Sequence, residues 1–306
     1  MTKLLNSVCC ILVLMVLMAC APSENRLTIH LSALKPLPAQ AASEIMPLRV
    51  SVAAVISPRG TAESYRPLLE YLSAKLDRPV ELVQRRTYGE TNELVRTGAV
   101  DVAFVCTSAY ITGHEDFGMT LLAAPEVNGL ATYQSLLLVP AASTARTMAD
   151  LRDKVFAFTD PISHTGRVYP TYLVERMGTT PDAFFSRTFF TYSHDDAIRA
   201  VASGLADGAA VDSLVYQFAL ERDPSLAVQV KVIHESPPFG IPPVVLSPDV
   251  RPQQRVVLSE ILLGMRDDPA AKPALEALGI DGFVSIDDSA YDTARAITPV
   301  VRPNAS

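Results

Sequence analysis

Cys106 has more chemistry to offer than any other residue in the chain. It ends an apolar run (Val100, Val102, Ala103, Phe104, Val105) and is followed by Thr107-Ser108-Ala109-Tyr110. A strand that ends in small hydroxyls and turns into a helix is where α/β folds place ligands, because the free N–H groups of the helix start favour anions. A thiol there can hold a soft, thiophilic ligand or act as a nucleophile. It can also be a small buried hydrophobe, a common fate of free cysteine. Three further clusters raise the same choice. Ser163-His164-Thr165-Gly166 lies between a strand-like run and a helical one, so its hydroxyls and N–H groups can face an anion or simply cap a helix. His194, between Tyr192-Ser193 and Asp195-Asp196, can donate to an oxyanion, with a charge that responds to a neighbouring carboxylate, or can serve as a cap. Asp212 ends the apolar run Gly208 to Val211. Its carboxylate can accept a hydrogen bond from a protonated ligand oxygen, cap the helix that starts at Ser213, or do both. Among the tyrosines, Tyr88 and Tyr110 follow strand ends and are favoured as phenolic donors over Tyr65 and Tyr133. Arg85-Arg86 reads as a solvated pair.

The elements that must position these groups alternate. Leu48 to Val55 reads as a buried strand, Ser64 to Leu76 as a helix, Val80 to Gln84 as a strand, Tyr88 to Thr97 as a helix closed by Gly98, and Val100 to Cys106 as a third strand. This β-α-β-α-β order marks a mostly parallel, doubly wound sheet. A second set follows. Tyr133 to Val139 is a strand running into a crossing at Pro140-Ala141-Ala142-Ser143, and Val155 to Phe158 is the next strand. A helix opens near Gly166, Asp195 to Gly204 and Ser213 to Leu220 are helical, and Val228 to His234 is a strand. Ser236 to Pro243 is too rich in proline for either element and reads as the return crossing, before Val244-Val245-Leu246 and a helix from Pro252 to Arg266. The expected architecture is therefore α/β with two lobes: 48–139 plus 244–306 form the first and 140–243 the second. Two crossovers enclose a central cleft suited to capture of a small ligand by hinge closure.

Residues 1–20 carry one early positive charge, Lys3, and a short apolar stretch ending Leu17-Met18-Ala19-Cys20, which resembles a bacterial lipobox with Cys20 as the acylated residue. The expectation is a lipoprotein signal over 1–20, a proline-bearing tether over 21–47, and a soluble body on the periplasmic side, held to the membrane by lipid only. Of the four cysteines, Cys9 and Cys10 would leave with the signal and Cys20 would be lipidated, the alternative being a secretory signal cleaved nearby, so Cys106 is expected to have no intramolecular partner. A net charge of −7 disfavours nucleic acid and anionic membrane surfaces, so an anionic ligand must be held by local donors. No P-loop, dinucleotide fingerprint, zinc spacing or nucleophile elbow is visible. His114, with Glu115 and Asp116, keeps a thiol-dependent periplasmic enzyme using Cys106 as the alternative to a binding protein that needs no cofactor.

Several segments together resemble the phosphonate/phosphite-binding family of periplasmic solute-binding proteins. They are Ser57-Pro58 with Tyr65, Gln84 to Tyr88, Ala157 to Gly166, Tyr192 to Asp196, Gly208 to Ser213 and Phe239 to Pro243. The resemblance spans about residues 48 to 290 and implies a type-2 periplasmic binding fold, a small tetrahedral or pyramidal oxyanion as ligand, and an ABC permease or a sensor histidine kinase as partner. It implies ligand contact at Asp212, and His164 stands where the family carries a small polar residue. Phe104 to Tyr110 is similar to the Cys-containing arsenite-sensing subgroup, in which Cys106 would ligate arsenic. A thiol in that role is expected to be partly accessible and near donors that favour thiolate. The ligand-binding set implied is Tyr88, Cys106, Thr107, Ser108, Tyr110, Ser163, His164, Thr165, Gly166, His194 and Asp212.

Overall fold

The computed structural model describes residues 46–298. The expected signal, Cys20, and nearly all of the expected tether lie outside the described residues. β1 (Leu48–Val52) buries Leu48 and Val50 completely, as a parallel strand covered on both faces must. α1 (Pro58–Leu76) begins with proline in its first turn, where a missing N–H costs nothing. β2 (Val80–Gln84) pairs parallel with β1. α2 (Tyr88–Arg96) opens on a capping box: Thr87 Oγ1 accepts from the Glu90 N–H, and the Glu90 carboxylate accepts from the Thr87 N–H. β3 (Val102–Phe104) lies parallel on the other side of β1 and runs into α3 (Thr107–Phe117), followed by β4 (Thr120–Glu126).

The chain then crosses through β5 (Thr132–Tyr133) into β6 (Ser135–Pro140). β7 (Val155–Phe158) leads to a π-helical turn, His164–Val168, and on into α4 (Tyr169–Glu175). After β8 (Arg187–Phe190) come α5 (His194–Ala202), β9 (Gly208–Asp212), α6 (Ser213–Arg222) and β10 (Val230–Glu235). The return runs through β11 (Phe239–Gly240) to β12 (Val244–Leu246), α7 (Pro252–Leu263), α8 (Lys272–Leu278) and β13 (Gly282–Val284). One lobe is built on a sheet of order β13-β4-β12-β3-β1-β2 and the other on a sheet of order β10-β6-β9-β7-β8.

The expected boundary at 139/140 moves. β6 pairs with β9 and β10, so residues 135–139 belong to the second lobe and the crossing is made at Thr132 to Gln134, not at Pro140 to Ser143. Pro140 sits at the end of a buried strand, where a missing donor is tolerated. The return segment does hold a short strand. Phe239, Gly240 and Ile241 interrupt the prolines and keep their N–H groups, and Phe239 and Gly240 pair antiparallel with Tyr133 and Thr132.

This two-stranded crossing is clamped from the first lobe. Thr107 Oγ1 donates to Gly240 O at 2.8 Å, and the Tyr291 hydroxyl donates to Ile241 O at 3.0 Å. A Cβ at residue 240 would lie 2.6 Å from the Ala290 carbonyl oxygen and 3.0 Å from the Tyr291 ring. Gly240→Ala is therefore expected to cost about 1–3 kcal/mol of stability, the range for overpacking a tight site. Urea unfolding checks this; an unchanged midpoint would mean that the crossing yields without strain.

Candidate functional site

Helix starts from both lobes meet at the seam between them, and hydrogen bonds cross it. The Tyr88 N–H donates to Asp160 Oδ2 at 3.0 Å, and the His164 N–H to Cys106 Sγ at 3.3 Å. Ser108 Oγ and His164 Nδ1 lie 2.8 Å apart. On the other side, the His194 N–H donates to Val55 O and the Ser57 N–H to Asp195 Oδ1, each at 2.9 Å. The lobes are shut on one another around a polar cluster.

Backbone geometry fixes His194. The Asp212 N–H donates to His194 Nδ1 at 3.0 Å. An amide N–H can only donate, so Nδ1 is bare and the proton sits on Nε2, which faces Ser163 Oγ at 3.4 Å. Burial lowers the pKa of His194 to about 3, against the opposing pull of Asp195, and burial lowers His164 to about 3 as well. Both imidazoles are neutral at neutral pH. The neighbouring carboxylate of Asp195 does pull His194 upward, but desolvation outweighs it and the ring stays uncharged. His164 is fully buried, with its ring edge-on to Phe239.

Asp212 fills the capping role open to it. Oδ1 caps α6, accepting from the Leu214 N–H at 2.8 Å and the Val215 N–H at 3.3 Å. Burial nonetheless raises its pKa to about 7. Cys106 occupies the N-cap position of α3, where a hydroxyl or carboxylate is usual. It is 3% exposed, and burial pushes its thiol up to about 11 against the N–H groups of His164 and Ser108. The donors expected to favour thiolate are present, but the expected accessibility is not. Burial wins, and the sulfur stays protonated at neutral pH. His114, eight residues along α3 and so about 12 Å up the helix, has its Nδ1 on Met119 O at 3.0 Å, which leaves Cys106 without that base.

Five buried polar atoms in this region have no partner among the described residues: Tyr88 Oη, Tyr133 Oη, Thr159 Oγ1, His164 Nε2 and Thr165 Oγ1. Burial raises both tyrosines well above their ordinary range. Cys106 and Asp212 contribute to both shifts, Ser163 stands beside Tyr88, and Thr107 stands beside Tyr133. Tyr110 leaves the expected set: its hydroxyl donates to Asp288 Oδ1 at 2.7 Å and its ring packs on Tyr291. Tyr133 joins it, because the shifted crossing carries that residue to the seam. The other expected residues gather here. Ser163 Oγ accepts from the Gly166 N–H at 3.2 Å, and Thr107 spends its own hydroxyl on the crossing. Gly166 serves by having no side chain, since a Cβ there would fall 1.9 Å from Thr159 Oγ1. Thr159 and Asp160 were not singled out individually, although both lie in the loop after β7 whose other polar residues were. Among the described residues no group of three or more His, Cys, Asp or Glu side chains is placed to hold a metal ion.

Residues 50–291 match the family model described as ABC transporter, phosphonate, periplasmic substrate-binding protein. The chain belongs to this family. Its members are substrate-binding components of transporters and not enzymes, which sets aside the thiol-enzyme alternative. A phosphate-import protein, PhnD, of Mycolicibacterium smegmatis is 29% identical over 212 residues, 65% of this chain. The chain spans 66% of that relative's length, just under two thirds. The binding-protein component of an ABC phosphonate transporter from Pseudomonas aeruginosa superposes with a TM-score of 0.78 at 22% identity, covering 84% of this chain and 87% of that one. PhnD1 of Prochlorococcus marinus, solved in complex with methylphosphonate, gives 0.75 at 18% identity, covering 83% and 97%. These likenesses show the fold: α/β, two-lobed, of the type-2 periplasmic binding class, as the family resemblance implied.

The buried titrating groups predict a pH dependence. Between about pH 4 and 7 native Asp212 keeps a proton that the unfolded chain has lost, so this group makes stability fall as pH rises. The two imidazoles act in reverse. Between about pH 3 and 6.5 the unfolded chain binds protons that the native state refuses, and stability rises with pH. With two groups against one, unfolding free energy should climb from about pH 5 to 6.5. Asp212→Asn removes the opposing contribution, so denaturant titrations across that window should show a steeper climb. A slope equal to the wild type's would mean that Asp212 is ionised throughout.

Proposed function

We propose that the chain captures a small phosphorus oxyanion, of the phosphonate or phosphite type, between its closed lobes and delivers it to the permease of an ABC importer. The observation that carries this reading is the set of unpartnered buried polar atoms at the seam, four of them hydroxyls able to donate. Each bare hydroxyl or N–H costs roughly 1–3 kcal/mol if left unmet, and a tetrahedral head with several acceptor oxygens meets them together. The binding residues in this reading are Tyr88, Tyr133, Ser163, His164, Thr165 and His194, with the N–H groups at the start of α3 and of the π-helical turn. Asp212, poised near neutrality, supplies the acceptor for a protonated ligand oxygen. No lysine or arginine is needed, because helix N-termini and neutral donors favour the negative charge. The family match and the phosphonate relatives named above support the same reading.

Arsenite held through Cys106, with a sensor histidine kinase as partner, is the second reading, favoured by the position of the thiol within the same cluster. Two substitutions separate the readings by calorimetric titration with phosphite, methylphosphonate, phosphate, arsenate and arsenite. Thr165→Ala should weaken phosphonate binding by about ten- to a hundredfold, the effect of one lost buried hydrogen bond. Cys106→Ser should leave that binding within a few fold. Arsenite binding that is tight in the wild type and vanishes in Cys106→Ser would instead support the thiol reading, and silence toward every oxyanion would sink both. Lipid anchoring through Cys20 on the periplasmic side is proposed on the same footing. Cys20→Ala should release the protein from the membrane fraction, and protein retained there would refute the anchor.

A further inference from the structure

An apolar chamber lies beside the polar cluster and shares Asp212 with it, the residue whose N–H holds His194. Its volume is about 160 Å³. Phe104 and Tyr65 line the chamber from the first lobe, Leu214 and Phe218 on α6 from the second, and Leu278 on α8 closes a further side. The side chains of Leu214, Phe218, Leu278 and Tyr65 are only half-buried, so this apolar surface is only partly covered by the protein's own packing. An apolar cavity of about 150 Å³ stays dry and takes up benzene-sized guests in other proteins. Because its walls come from both lobes, anything that fills this chamber adds to the closed state alone, and its contacts bias hinge closure directly.

Resting on the oxyanion reading above, we propose that the ligand is an organophosphonate with an apolar substituent, up to about the size of a phenyl ring. Its oxyanion head meets the unpartnered donors of Tyr88, Tyr133 and Thr165, and its substituent fills the chamber beyond Asp212. The chemistry selects against a substituent ending in a charge. An ammonium group in an apolar chamber loses its hydration, and among the wall residues named only Asp212 could answer it, with one of its oxygens already accepting two backbone N–H groups.

Calorimetry on the full-length chain in detergent, with inorganic phosphate, methylphosphonate, 2-aminoethylphosphonate and phenylphosphonate, tests this directly. Phenylphosphonate should bind at least tenfold more tightly than methylphosphonate, and 2-aminoethylphosphonate more weakly than either. Ala277, in the chamber wall on α8 and remote from the donor set, gives the second arm. Ala277→Phe should abolish the phenyl advantage and leave methylphosphonate within twofold. Phenylphosphonate binding no tighter than methylphosphonate, or an advantage that survives Ala277→Phe, overturns the apolar chamber while the oxyanion site stands. Absence of binding by all four probes in the unsubstituted protein defeats the oxyanion site itself. The comparison of ligands on the unsubstituted protein does not depend on how well the variant folds.

Discussion

Buried polar groups outnumber their partners at the seam between the two sheets, and the rest of the chain is arranged around that imbalance. A folded protein pairs nearly all of its buried polar groups. Here two phenols, two threonine hydroxyls and an imidazole nitrogen are held together without partners. Their cost is carried by the surrounding structure. β1, β3, β7 and β9 are almost wholly buried, and their ends deliver the polar residues to one place. The backbone hydrogen bonds that cross the seam hold the lobes shut around the cluster. A guest with several acceptor oxygens removes the penalty in one step. For that reason the imbalance favours a ligand instead of merely weakening the fold.

Charge is handled without cations. Burial suppresses both histidines to neutrality and raises Asp212 and Asp160 above the usual carboxylate range, so the cluster presents dipoles and two buried acids. An arginine clamp would bind any anion of suitable size strongly, whereas a neutral donor array ranks anions by how well their oxygens fit. The fixed tautomer of His194 makes the same point at a single atom. Because the Asp212 N–H occupies Nδ1, the ring can offer only a donor at Nε2, and Asp212 in turn is oriented by capping α6.

Most of the fold was legible because it depends on local patterns: buried β-branched runs, helix starts after strand ends, and glycine stops. The β-α-β-α-β core and the loops that carry Ser163, His194 and Asp212 follow from those patterns alone. What failed depends on tertiary partners. Strand β6 has the same apolar run whichever sheet it joins, and only its pairing with β9 and β10 assigns it to the second lobe. That single assignment carries Tyr133 to the seam. Tyr110 was misplaced for a related reason. It follows a strand end as Tyr88 does, but nearly one turn into α3 its side chain meets Asp288 and Tyr291, contributed by residues far along the chain. The suppressed histidines were equally out of reach, since burial from all sides sets their titration and sequence neighbours do not.

Cys106 shows how one position joins these constraints. At the N-cap of α3 a hydroxyl or carboxylate would normally engage the free N–H groups of the first turn strongly. Sulfur is a weak acceptor, so it meets the His164 N–H across the seam at 3.3 Å while claiming little of the helix start. A small, protonated, nearly apolar cap also suits its place in the hydrophobic cluster with Tyr88, Tyr133 and Phe239. An aspartate here would add a third buried acid to Asp212 and Asp160 and raise the cost of admitting an anion. The thiol thus engages the Ser108 N–H of α3 only weakly, keeps negative charge away from a guest, and ties the two lobes together through the backbone of the π-helical turn. These consequences follow from burial and weak acceptance, and none of them requires the sulfur to react.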